Sequence, residues 1–341
     1  MRNKIAIYAL TAEGAGLASI LISKINADLF VLERYSSELS TSFTSLADLV
    51  SDKFSAYEAH IFIAASGIAV RMIAPHLKNK AADPAVVVLD QKGQFAVSLV
   101  SGHLGGANEL ARLIGDEIGA VPVITTATDC AGVPAIDLLA RENNLVIGDI
   151  CLIKHINAAL LDGDQVAVYD PDGFLNISEN DINFYLVDDV EMLGDLRCGV
   201  CVDWRIRNLA ETVLPLYPRC LALGVGCRRG VPVGEILGLI RSTLDSNGVA
   251  VQSISCMGTI DAKSDEQGLI DAAEILGLEL NFFSAAELDE IKVAAPSGMV
   301  MKHMGVGSVC EAAAMKMANA TEILVPKTKS ARVTAALAKD A

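Results

Sequence analysis

Over its first 130 residues the chain alternates short β-rich runs with helical ones, and that alternation limits the fold more than any other feature. KIAIYAL, ADLFVL, HIFIAA, AVVVLD, QFAVSLV and VPVITT read as strands, while 14–25, 46–54, 67–73 and 107–118 read as helices. Strands separated by helices join by crossovers, so the pattern predicts a mainly parallel sheet with helices on both faces. Asp90-Gln91-Lys92-Gly93 is a turn signal between two of the runs and predicts one antiparallel pair.

From 131 to 218 the pattern weakens into Asp-Gly and Pro turns around a few strand-like runs such as GVCVDWRI, which reads as a small α/β middle segment. A second alternation fills 219–341. CLALGVG, VQSISC, LELNFF and EILVPK read as strands, and VPVGEILGLIRSTLDSNG, DEQGLIDAAEILG, AAELDEI, SVCEAAAMKMANA and a closing ARVTAALAK as helices. The expectation is therefore two three-layer α/β domains with mainly parallel sheets, at 1–130 and 219–341, joined by the middle segment at 131–218.

Composition narrows the function classes. With 52% hydrophobic and 20% charged residues the chain is globular, and none of its apolar runs reaches the roughly 18 residues of a membrane span. Basic residues precede an apolar stretch at the N-terminus, but Glu13 interrupts it, so a strand and helix are expected there in place of a signal peptide. Eight irregularly spaced cysteines point to core thiols in a reducing cytoplasm. Cys198 and Cys201 have metal-like spacing without a second pair, so no protein-held metal is expected. A net charge of −15 argues against nucleic acid and requires any anionic ligand to be met by a local basic cluster.

Six stretches carry candidate chemistry. In VSLVSGHLGGANELARLIG a strand breaks at a glycine-rich turn and becomes a helix, the place where α/β sheets collect ligands. Ser101, His103, Gly105, Gly106 and Asn108 sit at that junction, with Glu109 near the first helical turn. The competing reading is that the glycines only permit the turn and the histidine packs. VPVITTATD offers Thr125, Thr126, Thr128 and Asp129 at the next strand end, either in the same crevice or as helix caps. ASGIAVRMIAPHLKNK places Ser66 and Gly67 after a strand, with Arg71, His76, Lys78 and Lys80 as a cationic cluster. LGVGCRRGVP sets Gly226, Arg228 and Arg229 in a strand-to-helix turn suited to carboxylates or phosphates. GVGSVCEAAAM reads as a capping box from Ser308 to Glu311, with Lys302 and His303 upstream. TIDAKSDEQGL carries a further cap signature from Ser264 to Gln267, beside the minor candidates Thr259, Asp261 and Lys263.

With those residues in view, almost the whole chain resembles the cobalt-precorrin-5A hydrolase family of the anaerobic cobalamin pathway. ASGIAVRMIAPHLKNKAADPAVVVLD with SGHLGGANELARLIGDEIGAVPVITTATD resembles the family's N-terminal domain. GVGCRRGVP, KSDEQGL and GVGSVCEAAA resemble its C-terminal domain. The resemblance implies an enzyme that opens the δ-lactone of a corrinoid intermediate and releases acetaldehyde. Its cobalt arrives with the substrate, and no cofactor held by the protein follows.

For that chemistry His103 is the first candidate acid or base, and Glu109 or Asp129 would orient it. The Gly105 and Gly106 amides are candidate oxyanion donors, and Arg71, Arg228 and Arg229 would hold substrate carboxylates. A carrier that passes the macrocycle between enzymes is the other reading. A homo-oligomer and transient contact with neighbouring pathway enzymes stay open.

Overall fold

The structure is a computed structural model that describes residues 4–79, 82–178, 181–194, 196–291 and 308–340. Lys80, Lys302, His303 and the glycines at 305 and 307 lie outside the described residues. The chain divides into two compact units, 1–138 with 160–163, and 139–159 with 164–341.

The first unit runs β1 (Ile5–Ala9), α1 (Ala12–Ile22), β2 (Ala27–Leu32), β3 (Thr41–Phe43), α2 (Leu46–Lys53), β4 (Ala59–Ile63), α3 (Ser66–Ile73), β5 (Ala85–Leu89), β6 (Phe95–Val100), α4 (Ala107–Ile118), β7 (Val121–Val123) and α5 (Ala127–Ala131). Its seven strands form one sheet in the order β3-β2-β1-β4-β5-β6-β7, parallel throughout except for the expected β5–β6 hairpin. The Asp90 carboxylate accepts from the amides of Lys92, Gln94 and Phe95 and fixes that turn.

Alternation along each strand sorts the core into two layers. Ile7, Ile61 and Val87 pack with Ala18 and Leu21 of α1 and Leu110 and Ile114 of α4. Tyr8, Phe62 and Val88 pack with Val50 of α2 and Ala69 and Ile73 of α3. The sheet is thus covered on both faces, as expected.

In the middle region come α6 (Ile136–Glu142), β8 (Leu145–Ile147), α7 (Ile150–Leu161), β9 (Val166–Tyr169), β10 (Phe184–Leu186), β11 (Gly199–Val202) and β12 (Val213–Pro218). They include a sheet of order β10-β9-β11-β12-β8, in which β8 is antiparallel to β12.

The C-terminal region holds β13 (Leu221–Cys227), α8 (Val233–Ser246), β14 (Ile254–Ile260), α9 (Gln267–Leu276), β15 (Glu279–Phe283), α10 (Ala285–Asp289), α11 (Val309–Met317), β16 (Val325–Lys329) and β17 (Val333–Lys339). The sheet order is β15-β14-β13-β17-β16. Leu221, Leu223 and Val225 face Ile236 and Ile240 of α8 and Leu269 of α9. On the other face Ala222 and Ala338 meet Ala314 and Met315 of α11. A Cβ on Gly224 would stand 1.8 Å from the Cys310 carbonyl oxygen, so only glycine lets α11 approach β13 this closely.

The closing segment corrects the sequence reading. ARVTAALAK was expected to be helical, yet Val333–Lys339 is a strand antiparallel to both β13 and β16. Ala335, Ala336, Leu337 and Ala338 are all fully buried. Between two strands, with both sheet faces covered, consecutive small apolar residues are all buried, whereas a helix would bury one stripe and expose the rest. Tertiary packing here overrides the helical preference of alanine and leucine.

Candidate active site

The turn before α4 is a backbone knot. The Gly106 amide donates to the His103 carbonyl at 2.8 Å, and the Ala107 and Asn108 amides donate to the carbonyls of Ser101 and Gly102 at 3.0 Å. Gly106 takes φ 85°, and a Cβ on Gly105 would stand 2.4 Å from Ser101 Cβ, so the glycines are what allow the turn to fold this tightly. Ser101 itself sits at φ 58° and directs its hydroxyl to the Asp83 carbonyl at 2.9 Å. The expectation that Gly106 supplies an oxyanion donor is thereby corrected, because its N–H is already engaged within the turn.

β6 and β7 are parallel neighbours, so their carboxyl ends lie side by side and bring the two polar stretches together. His103 Nε2 lies 3.1 Å from Asp129 Oδ2 and 3.2 Å from Thr128 Oγ1, and its Nδ1 lies 3.2 Å from Asp137 Oδ2. Asp129 also accepts from the Thr126 hydroxyl, the Arg112 guanidinium and, at 3.0 Å, Asn108 Nδ2. Asn108 is buried and takes the Ser98 hydroxyl on its Oδ1 at 2.6 Å.

Electrostatics follow from this crowding. The hydrogen bond to Asp137 raises the His103 pKa above its usual value; burial opposes the shift, and the Asp137 charge and Asp129 reinforce it. For Asp129, burial works against the charged form. Hydrogen bonds from Thr126, Arg112 and His103, with the Arg112 charge, outweigh it and hold the carboxyl below the usual carboxylate range. The centre is therefore an imidazole held between two carboxylates that favour its protonated form.

Asp137 escaped the sequence reading. It opens α6, and an acidic residue in a first helical turn is ordinary enough that spacing alone does not single it out. Other candidates lie apart from the cluster or at its margin. Glu109 is exposed on α4, Thr125 is exposed, and Ser66, Gly67 and Arg71 lie exposed on α3. Neither Thr128 nor Asp129 caps α5; Thr126 occupies the N-cap without a side-chain cap bond.

In the C-terminal region Gly226, Arg228 and Ser308 line one cavity of about 430 Å³, together with Thr259, Lys263 and Cys310 among others. Arg229 is directed elsewhere, to Asp265 at 2.9 Å. The capping box expected at Ser308 is absent: Ser308 is the N-cap but makes no side-chain cap bond, and Glu311 instead accepts from the Lys327 amide at 3.1 Å. The cap expected at Ser264 is displaced to Glu266, which precedes α9. Burial pushes the pKa values of the Cys227 and Cys310 thiols up, so neither is an activated nucleophile. Among the described residues no group of three or more His, Cys, Asp or Glu side chains is placed to hold a metal ion, and no helix is long and apolar enough to cross a membrane.

Comparison with known proteins gives matches along most of the chain. Residues 48–129 match the cobalamin synthesis G N-terminal family, 134–218 the cobalamin biosynthesis central region and 221–338 the cobalamin synthesis G C-terminus. A cobalt-precorrin-5A hydrolase of Salmonella typhimurium is 36% identical over 92% of this chain and 91% of its own. Another from Priestia megaterium is 32% identical over 99% and 95%. Protein CobE of a Sinorhizobium species is 35% identical over 35% of this chain and 79% of its own length.

Proposed function

The chain belongs to the cobalamin synthesis G family, and from that premise we propose that it is a cobalt-precorrin-5A hydrolase. It opens the substrate's lactone and releases the two-carbon fragment as acetaldehyde. The observation that carries this reading is likeness, over nearly the full length of both chains, to two hydrolases of that name.

The reaction asks for one group that can both give and take a proton. Attack of water on the lactone carbonyl, with the water's proton taken by the neutral imidazole, breaks the acyl C–O bond and leaves an alkoxide that must be protonated. Loss of the fragment as an aldehyde then removes the proton from that same hydroxyl while the C–C bond breaks, its electron pair passing to the macrocycle carbon, which is protonated in turn. His103 meets both demands: its imidazolium protonates the alkoxide, and the neutral ring takes the hydroxyl proton back. Asp137, bonded to Nδ1, keeps the other nitrogen turned toward Thr128 and Asp129. In this reading Asp137 is a positioning residue.

These steps use only side chains and water, and the cobalt is the substrate's own. Eight free cysteines suit a reducing cytoplasm as the setting.

A carrier reading draws on the likeness to Protein CobE, a chain matched over 79% of its own length by 35% of this one. Acetaldehyde released from anaerobically prepared cobalt-precorrin-5A, counted per protein molecule, separates the two. Many equivalents are expected. None, with tight stoichiometric binding, would replace the enzyme with a carrier.

A further inference from the structure

The C-terminal cavity has a charge opposite to that of the chain. Among the described residues five that line it are cations, Arg228, Lys263, Lys327, Lys329 and Arg332, and none is acidic, in a protein of net charge −15. Two of the five are paired: Lys263 lies 3.4 Å from Glu266, and Arg332 is held by Glu235. Among the described residues the side-chain nitrogens of Arg228, Lys327 and Lys329 form no ion pair within 4.0 Å, and the buried Glu311 carboxylate beside Lys327 is bonded to its backbone amide. Unneutralised cations gathered at one concavity concentrate field there and draw anions.

Placement adds to charge. The cavity lies at the carboxyl ends of the parallel neighbours β13 and β14, where Cys227 and Ile260 close the strands, and the first turn of α11 borders it. Strand ends of this kind are the usual ligand position of an α/β sheet, and a helix N-terminus favours negative charge. Thr259, fully buried and lining the cavity, has a hydroxyl with no hydrogen-bond partner among the described residues. A buried donor left unmatched is costly unless a ligand or water completes it.

The cations come from the end of β13, the turn after β14, strand β16 and the turn before β17, so they surround the space from several elements. That distribution suits several separate carboxylates better than one compact dianion. A volume of about 430 Å³ is near the lower end of the roughly 300–1,000 Å³ of small-molecule sites, room for one edge of a macrocycle. We infer that this cavity is a polycarboxylate site that grips a macrocyclic substrate by the carboxylate arms of one edge. The identity of the natural ligand rests on the hydrolase reading; the anion chemistry does not.

Uroporphyrin III, a metal-free macrocycle with carboxylate arms around its rim, is the probe, titrated into the full-length chain and followed by fluorescence. Saturable binding that weakens with salt and with added citrate is expected, and a cationic N-methylpyridyl porphyrin should not bind. Arg228→Glu and Lys329→Glu, both at exposed positions, should each weaken it by roughly tenfold or more, the worth of a charge-assisted hydrogen bond. Arg229→Glu, outside the lining, should change it by less than about twofold on the scale of exposed ion pairs. Equal binding by wild type and both cavity variants, or equal binding of the cationic porphyrin, would overturn the site. Cavity-dependent binding without acetaldehyde would keep the site and remove the hydrolase. Acetaldehyde release with KM unaffected by the cavity reversals would do the opposite.

Discussion

The two polar centres of this chain follow opposite plans. Around His103 both ring nitrogens face carboxylates, and Asp129 gathers donors from His103, Thr126, Asn108 and Arg112. In the C-terminal cavity, among the described residues, three of the five lining cations form no ion pair and a buried hydroxyl has no hydrogen-bond partner. A satisfied network holds a proton and a geometry in place, whereas an unsatisfied one lowers its free energy by taking up a ligand. In the proposed reading the first centre transfers protons and the second grips the substrate.

His103→Ala breaks that division most directly. Loss of an acid–base group costs about 10²–10⁴ in rate, or roughly 3–5 kcal/mol of barrier. We expect acetaldehyde turnover to fall by that amount while uroporphyrin affinity is retained. Should turnover persist in His103→Ala and vanish in Arg228→Glu, the chemistry belongs to the cavity and the contrast is reversed.

A second histidine in the first unit sharpens what enclosure does. His60 is fully buried on β4, its Nδ1 3.0 Å from the Tyr8 hydroxyl and its Nε2 3.1 Å from the Phe54 carbonyl. The carbonyl can only accept, so Nε2 carries the proton and Nδ1 accepts from Tyr8. Burial lowers its pKa from 6.5 to about 4 despite that carbonyl. Between pH 6.5 and 4 the unfolded chain binds a proton that the folded chain refuses, so stability is lost as pH is lowered through that window, by about 3 kcal/mol in all. His103, with its raised pKa, has the opposite sign: its contribution is complete below pH 6.5 and is lost as pH rises through the folded value. Urea denaturation across pH 4 to 6.5 tests this, and His60→Gln should flatten the acid slope. An unchanged slope in that variant would place the acid sensitivity elsewhere.

The difference between the two centres also shows where the sequence was legible. SGHLGGANE announces itself because its turn, its helix and its histidine are contiguous, and the helix expected at 107–118 is the helix observed. Arg228 and Ser308 were readable for the same reason, each standing in a glycine-marked turn. Asp137, Lys327, Lys329 and Arg332 were not, since only the folded sheet brings them to their sites. The last three belong to a segment where alanine-rich β17 passes for a helix, which hides the turn that presents Arg332. Thr259 and Lys263 stand out only as minor candidates in the sequence, because burial and an orphaned hydroxyl are properties of packing and leave no local pattern.

Asp137→Asn gives the smallest effect expected here and tests the finest part of the contrast. The amide keeps the shape of the carboxylate but removes its charge, so Nδ1 loses the partner that contributes most to raising the His103 pKa. The neutral ring should then dominate at lower pH, and the limb of the activity profile that reports His103 should move toward acid. One positioning hydrogen bond of about 1.4 kcal/mol corresponds to roughly tenfold in kcat. KM should hold, because grip is assigned to the other centre. A purely structural Asp137 would instead lower the melting temperature and leave the pH limb in place. A change in KM with the limb unmoved would mean that the first centre also holds the substrate, and the division of labour between the two would no longer stand.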